Sequence, residues 1–140
     1  MKILTGILKK SQRDKAPVKN IRVLLVDDHA DVRKALAAML NLPSDIQVVD
    51  VAANGEEALE KAHGVQPDVI LMDTVMPKMD GIEATQIIHS ELPHIRIIGL
   101  SMYDIQDIAD RMMEAGAYAH FAKDGDSSVL LSAIRRVLVK

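Results

Sequence analysis

At 140 residues the chain has room for one domain with a real core, and nearly half of it is hydrophobic, which argues against disorder. It contains no cysteine, which excludes a disulfide framework and a Cys-based zinc site, and a formal net charge of −3 provides no electrostatic footprint for nucleic acid. The apolar runs are strand-sized, far short of a membrane span, and Met1 to Leu8 is too weakly apolar for a secretory signal, so the expected compartment is the cytoplasm.

Residues 1–20 read as a basic leader or linker. Lys2, Lys9, Lys10, Arg13, Lys15 and Lys19 face a single acid, Asp14. Ile3, Leu4, Ile7 and Leu8 have helical spacing ahead of the Ala16-Pro17 break, so the alternative is a short docking helix.

From Ile21 onward strands and helices alternate. Ile21–Val26 is a continuous apolar run, as expected of a parallel strand covered on both faces. Val32, Ala35, Leu36, Met39 and Leu40 mark a first helix that stops before Pro43. Ile46–Val51 reads as the second strand. Asn54 with Glu57 forms a capping-box pattern, opening a helix expected to run to about His63-Gly64. Val69–Met72 is the third strand, closed by Asp73. A third helix covers Ile82 to Glu91 and ends at Pro93.

Ile95–Leu100 is the fourth strand, and Ile105 to Ala115 the fourth helix, terminated by Gly116. Tyr118–Ala122 is a short fifth strand. Asp126 or Ser127 caps a last helix with Val129, Leu130, Ala133, Ile134, Val137 and Leu138 on one face. Met112-Met113 reads as half core and half surface, and Arg135-Arg136 as a favourable charge at a helix C-terminus. Five such units predict an α/β fold, a doubly wound five-stranded parallel sheet with five helices.

The polar residues at the carboxyl ends of the strands form a short set: Asp27 and Asp28, Asp73, Ser101 and Lys123. In an open α/β sheet, ligands bind at that rim, where strand order reverses. Each residue alone has a bland explanation, such as a helix cap or a solvated charge. Together on one rim they point to phosphoryl transfer, which needs an in-line nucleophile, a metal and groups on the equatorial oxygens. Asp73 is the best nucleophile, a role carboxylates fill as aspartyl-phosphate. Asp27 and Asp28 would hold a hard divalent cation. Lys123 and the Ser101 hydroxyl would meet phosphoryl oxygens. His29, His63, His89 and His94 show no zinc spacing.

The segments Leu24-Leu25-Val26-Asp27-Asp28-His29, Leu71-Met72-Asp73-Thr74-Val75-Met76-Pro77-Lys78-Met79-Asp80-Gly81, Leu100-Ser101-Met102-Tyr103-Asp104, Ala115-Gly116-Ala117 and Lys123-Asp124 resemble a bacterial two-component response-regulator receiver domain, of the NarL/FixJ type. The resemblance spans about Asn20 to Val139 and places the receiver domain at 21–140. It implies a flavodoxin-like sheet in the order 2-1-3-4-5. It implies Asp73 as phosphoacceptor and Asp27, Asp28, Asp73 and the Val75 backbone carbonyl as ligands of Mg2+. Ser101, Thr74 and Lys123 would bind the phosphoryl group and switch with it. Receivers often carry an aromatic residue three positions before the Lys. Here that position is His120, which puts an aromatic swing in doubt.

The implied partner is a sensor histidine kinase or a histidine phosphotransfer protein. Output is expected through the face of the fourth helix, fifth strand and fifth helix, where exposed Met112 or Met113 would meet a second copy or an effector. Such receivers usually precede a helix-turn-helix domain, and this chain ends too soon to contain one. Self-association or a phosphorelay is therefore expected rather than direct DNA binding. The competing reading is a haloacid-dehalogenase-type phosphatase, which needs a second Asp two residues past the nucleophile, where this chain has Val75. A nucleotide-binding domain fails for want of a Walker A loop or a Gly-x-Gly-x-x-Gly after any strand.

Overall fold

Apolar runs bounded by turn residues form a five-stranded parallel sheet in the order β2-β1-β3-β4-β5 in the computed structural model, which describes residues 20–76, 78–102 and 106–137. In chain order the elements are β1 (Ile21–Val26), α1 (Ala30–Asn41), β2 (Ile46–Ala52), α2 (Gly55–Val65), β3 (Val69–Asp73), α3 (Gly81–Glu91), β4 (Arg96–Ser101), α4 (Gln106–Ala115), β5 (Ala119–Ala122) and α5 (Ser127–Arg136). The expected fold class and strand order hold. The proposed leader, Pro77, Tyr103 to Ile105 and Leu138 lie outside the described residues.

Period-two alternation sorts the sheet side chains into two cores. Leu24, Val26, Ile70, Met72 and Ile97 pack under α2, α3 and α4 with Ala58, Ala62, Ala84, Ile88 and Met112. Val23, Leu25, Leu71, Ile98 and Leu100 face the other way, toward Leu40 of α1 and Leu130, Ala133 and Ile134 of α5. β1 and β3 are buried on both faces, as their unbroken apolar sequences require. β2 lies at the edge, and its register with β1 shifts between Val23 and Leu24. No helix among the described residues is long and apolar enough to cross a membrane.

The caps mostly follow the expected chemistry. Asn54 Oδ1 accepts from the Glu57 N–H at 3.0 Å, and Glu57 reaches back to the Ala53 N–H at 2.9 Å. Asp80 and Asp126 cap α3 and α5 through the N–H groups of Glu83 and Ser128. Gly116 closes α4 at φ +116, and the Ala117 N–H bonds the Met112 carbonyl.

Several expectations gain detail, and the burial of two helical positions needs correction. α2 ends close to the expected His63-Gly64: it runs to Val65, and Gln66 takes the left-handed cap at φ 49. Pro67 disfavours helical backbone at the residue before it, so the helix must end there. The Met112-Met113 pair is half core and half surface as expected: Met112 is fully buried and Met113 exposed, because adjacent helical positions point about 100° apart. Val129 is half exposed, at the edge of the α5 stripe rather than on it, and Ala35 of α1 is likewise exposed. The Arg135 guanidinium grips the Asp45 carboxylate just before β2 at 2.8 and 3.1 Å, in addition to lying in the last turn of α5.

Gly81 fixes the geometry beneath the rim. Its N–H donates to the Thr74 carbonyl at 3.2 Å, and a Cβ at this position would overlap the carbonyl oxygen of Asp73. Only a residue without a side chain lets α3 begin this close to the end of β3.

Candidate functional site

Because β1 and β3 are adjacent and end level, with Val26 opposite Met72, their following acids share one space. Asp27 is held by its backbone: its N–H donates to the Ala52 carbonyl at 3.0 Å, and its own carbonyl accepts from Arg33 Nη1 at 2.6 Å. Its side chain is buried, with Oδ1 accepting from the His29 N–H at 2.9 Å. Asp73 is 4% exposed. Its Oδ1 accepts from the Val75 N–H at 3.3 Å, while its Oδ2 is buried with no hydrogen-bond partner.

Lys123 follows β5 and reaches across the rim, its N–H tied to the Ser101 carbonyl at 2.8 Å. Its ammonium donates to Asp27 Oδ2 at 2.6 Å and stands 3.3 Å from Asp73 Oδ1. Thr74 is anchored through its N–H to the Leu100 carbonyl at 3.1 Å, with a buried hydroxyl that has no hydrogen-bond partner. Ser101 ends β4, buried, with its Oγ 3.2 Å from Nε2 of His120 on β5. Asp73, Thr74, Val75, Ser101 and Lys123 line one cleft of about 270 Å³ together with His29, Met102 and Ile108, and Asp27 is joined to it through Lys123.

The charge arrangement is unbalanced. Burial pushes the Asp73 carboxyl up to about 6, helped by the negative charge of Asp27 and opposed by Lys123. Burial works against the Lys123 charge too, but the bond to Asp27 and the two carboxylates outweigh it and raise its pKa. Three acids against one ammonium leave an excess of negative charge. Two carboxylate oxygens, Asp28 Oδ1 and Asp73 Oδ2, are buried without a hydrogen bond. A buried oxygen of that kind is costly unless a cation or donor meets it. The carboxylates of Asp27, Asp28 and Asp73, with ligand atoms within 4.8 Å of one another, are the hard oxygen donors that Mg2+ takes.

One group was not expected here. His29, the N-terminal cap residue of α1, makes no capping bond with its side chain and instead turns its Nδ1 to 3.0 Å from Asp28 Oδ1 and 3.2 Å from Asp27 Oδ1. Ligand atoms of Asp27, Asp28, His29 and Asp73 all lie within 4.8 Å of one another. Adjacency to the acid pair was the available signal, but only the turn into α1 decides where the ring points.

A family model described as the response regulator receiver domain matches residues 23–135. The chain is 40% identical over 116 residues to the response regulator protein VraR of Staphylococcus saprophyticus, covering 83% of this chain and 56% of that protein. It thus spans about half the length of the curated relatives it matches. Among solved structures it is similar to a LuxR-family two-component response regulator from Aurantimonas, with a TM-score of 0.81, 32% identity and 86% of each chain covered. It is also similar to a chain in the CheX-CheY-BeF3-Mg2+ complex of Borrelia burgdorferi, with a TM-score of 0.78, 30% identity, and 87% and 92% of the two chains covered. With the fold, the rim of acids and these matches in agreement, the chain belongs to the response regulator receiver domain family of two-component signalling.

Proposed function

We propose that Asp73 is the phosphoacceptor of this receiver, taking a phosphoryl group from the phosphohistidine of a sensor histidine kinase or phosphotransfer protein. The observation that carries this reading is the buried Asp73 Oδ2, unpartnered while Oδ1 is held by the Val75 N–H. Oδ2 forms the new P–O bond, the P–N bond of the donor breaks, and the imidazole leaves with the bonding pair. Asp27, Asp28, Asp73 and the Val75 carbonyl would hold Mg2+. Bound there, the ion supplies the positive charge that lets an anionic carboxylate meet an anionic phosphoryl group.

The chain's own groups supply the rest. Lys123 is placed to transfer its donors from the carboxylates to the new phosphoryl oxygens, and the Thr74 and Ser101 groups line the same cleft. Residues 21–140 act as one receiver module behind a basic leader at 1–20, in the cytoplasm. Self-phosphorylation from small donors and self-dephosphorylation are the only chemistry assigned. The phosphatase reading gains nothing: where it needs an acid, Val75 presents an exposed aliphatic side chain.

Incubation with a small acyl phosphate and Mg2+ tests the assignment. The intact mass rises by one phosphoryl group, and Asp73→Asn abolishes the gain. Undiminished labelling of that variant, or continuous turnover of phosphate esters by the parent protein, overturns it.

A further inference from the structure

β2 is the outer strand of the described sheet, at the edge opposite β5, and Val48, Val49 and Val51 give it strong strand-forming character. Such an edge is a template on which another strand can add. In a parallel ladder alternate residues turn their backbone groups toward the neighbouring strand, and the residues between turn them away. The Ala52 carbonyl accepts from the Asp27 N–H and so faces β1, which turns the groups of Val51 outward. Both outward groups of Val51 are taken. Its N–H donates to Asp50 Oδ1 at 2.8 Å, and its carbonyl accepts from Lys61 Nζ at 2.5 Å. Lys61 also stands 3.3 Å from the same Asp50 oxygen. Asn41, the last residue of α1, takes the Val48 N–H on its Oδ1 at 3.0 Å. The register shift against β1 leaves Val49 without a partner residue, a bulge between the two held positions.

We propose that Asn41, Asp50 and Lys61 lock the β2 edge, and that the partner they exclude is β2 of a second copy of this chain. Asn41 comes from α1 and Lys61 from α2, helices on opposite faces of the sheet, so the edge is held from both sides. A second copy is the fitting occupant because two identical edges, laid antiparallel about a twofold axis, exchange N–H for C=O reciprocally. The held groups of Val48 and Val51 lie on either side of Val49, so an axis near Val49 sets each against the same stretch of the other copy. Each locked group must give up its present bond before it can pair with another strand, so the net gain from pairing vanishes. This edge is separate from the face of α4, β5 and α5, which lies across the sheet.

The triple variant Asn41→Ala/Asp50→Ala/Lys61→Met of the full chain, followed by sedimentation velocity and amide exchange at rising concentration, tests this. The three side chains are exposed or half-buried, so the sheet stays formed without them. In the parent the Val48 and Val51 amides should be equally protected at every concentration. In the triple variant they should lose protection several-fold when dilute and regain it as the protein is concentrated, together with a rise in sedimentation coefficient. Asp50→Ala/Lys61→Met, which retains Asn41, should show this at Val51 alone. Asn41→Asp keeps an acceptor for the Val48 N–H and should behave as the parent. A triple variant that sediments as the parent does at all concentrations overturns the proposal. So does association that leaves the Val48 and Val51 amides unprotected, which would place the contact on another surface.

Discussion

Lys123 directs its short hydrogen bond, 2.6 Å, to Asp27 and not to Asp73, from which it stands 3.3 Å away. In this state the ammonium is chiefly the counter-ion of an acid on a different strand. It stands in the same cluster of carboxylates that a divalent cation would enter, so cation and lysine share Asp27 and Asp73. Phosphorylation of Asp73 offers the lysine a second anion.

Removing that ammonium should therefore have opposite effects on folding and on cation binding. Lys123→Met leaves Asp27, 1% exposed, as a buried charge without its counter-ion, at a cost of about 3 kcal/mol in chelator. Mg2+ should bind the variant more tightly and restore much of the loss. Thermal unfolding with EDTA and with saturating Mg2+ measures both. A variant equally stable in EDTA, or one with weaker Mg2+ affinity, contradicts the account of shared carboxylates.

Asp73 should make the metal-free protein less stable as pH rises. Its carboxyl is raised from 3.8 to about 6 in the folded state, so between those values the folded form holds more protons than the unfolded form. The stabilising effect of protonation is present below the unfolded value and disappears as pH climbs through about 6. At pH 7.5 in chelator, Asp73→Asn should be more stable than the parent by about 2 kcal/mol, and the gain should vanish near pH 4. A gain of equal size at both pH values would place its origin elsewhere.

The strands were legible because their apolar runs are uninterrupted and turn residues bound them, and the rim acids were legible because each ends such a run. Asp27, Asp28, Asp73, Ser101 and Lys123 could be placed on one edge by topology alone. Their pairing could not. Which carboxylate receives Lys123, and where the His29 ring turns, depend on side-chain dihedrals that no spacing reveals. Periodicity showed Met112 and Met113 straddling a boundary without saying which was inside. Gly64 attracted the helix end in the sequence, but Pro67 set it.

Val75 should prolong the life of the aspartyl-phosphate. Its side chain is 67% exposed and lines the cleft above Asp73, with no group to orient an attacking water. Val75→Asn supplies an amide there and should shorten the lifetime several-fold, measured as phosphate release after removal of the donor. An unchanged or longer lifetime would count against the idea.

The contact between Ser101 and His120 links the site to β5, and activation should register there. With beryllofluoride and Mg2+, amide exchange should change not only near Asp73 but along α4 and from Ala119 to Lys123. His120→Phe removes the polar contact and should alter this response while leaving labelling of Asp73 intact. Changes confined to the neighbourhood of Asp73 would exclude the route. Of the two α4 methionines, Met113 is the exposed one.

The Gly81 contact carries a consequence for variation. Thr74 and Gly81 clasp each other at the two ends of the β3–α3 connection, and the glycine rests on the backbone of Asp73 itself. The residues between are thus a cassette with fixed mounts. Exposed side chains such as Val75 should therefore be exchangeable without moving the Asp73 carboxylate. A methyl group at position 81 would do the reverse, leaving those side chains in place while displacing the backbone of Asp73.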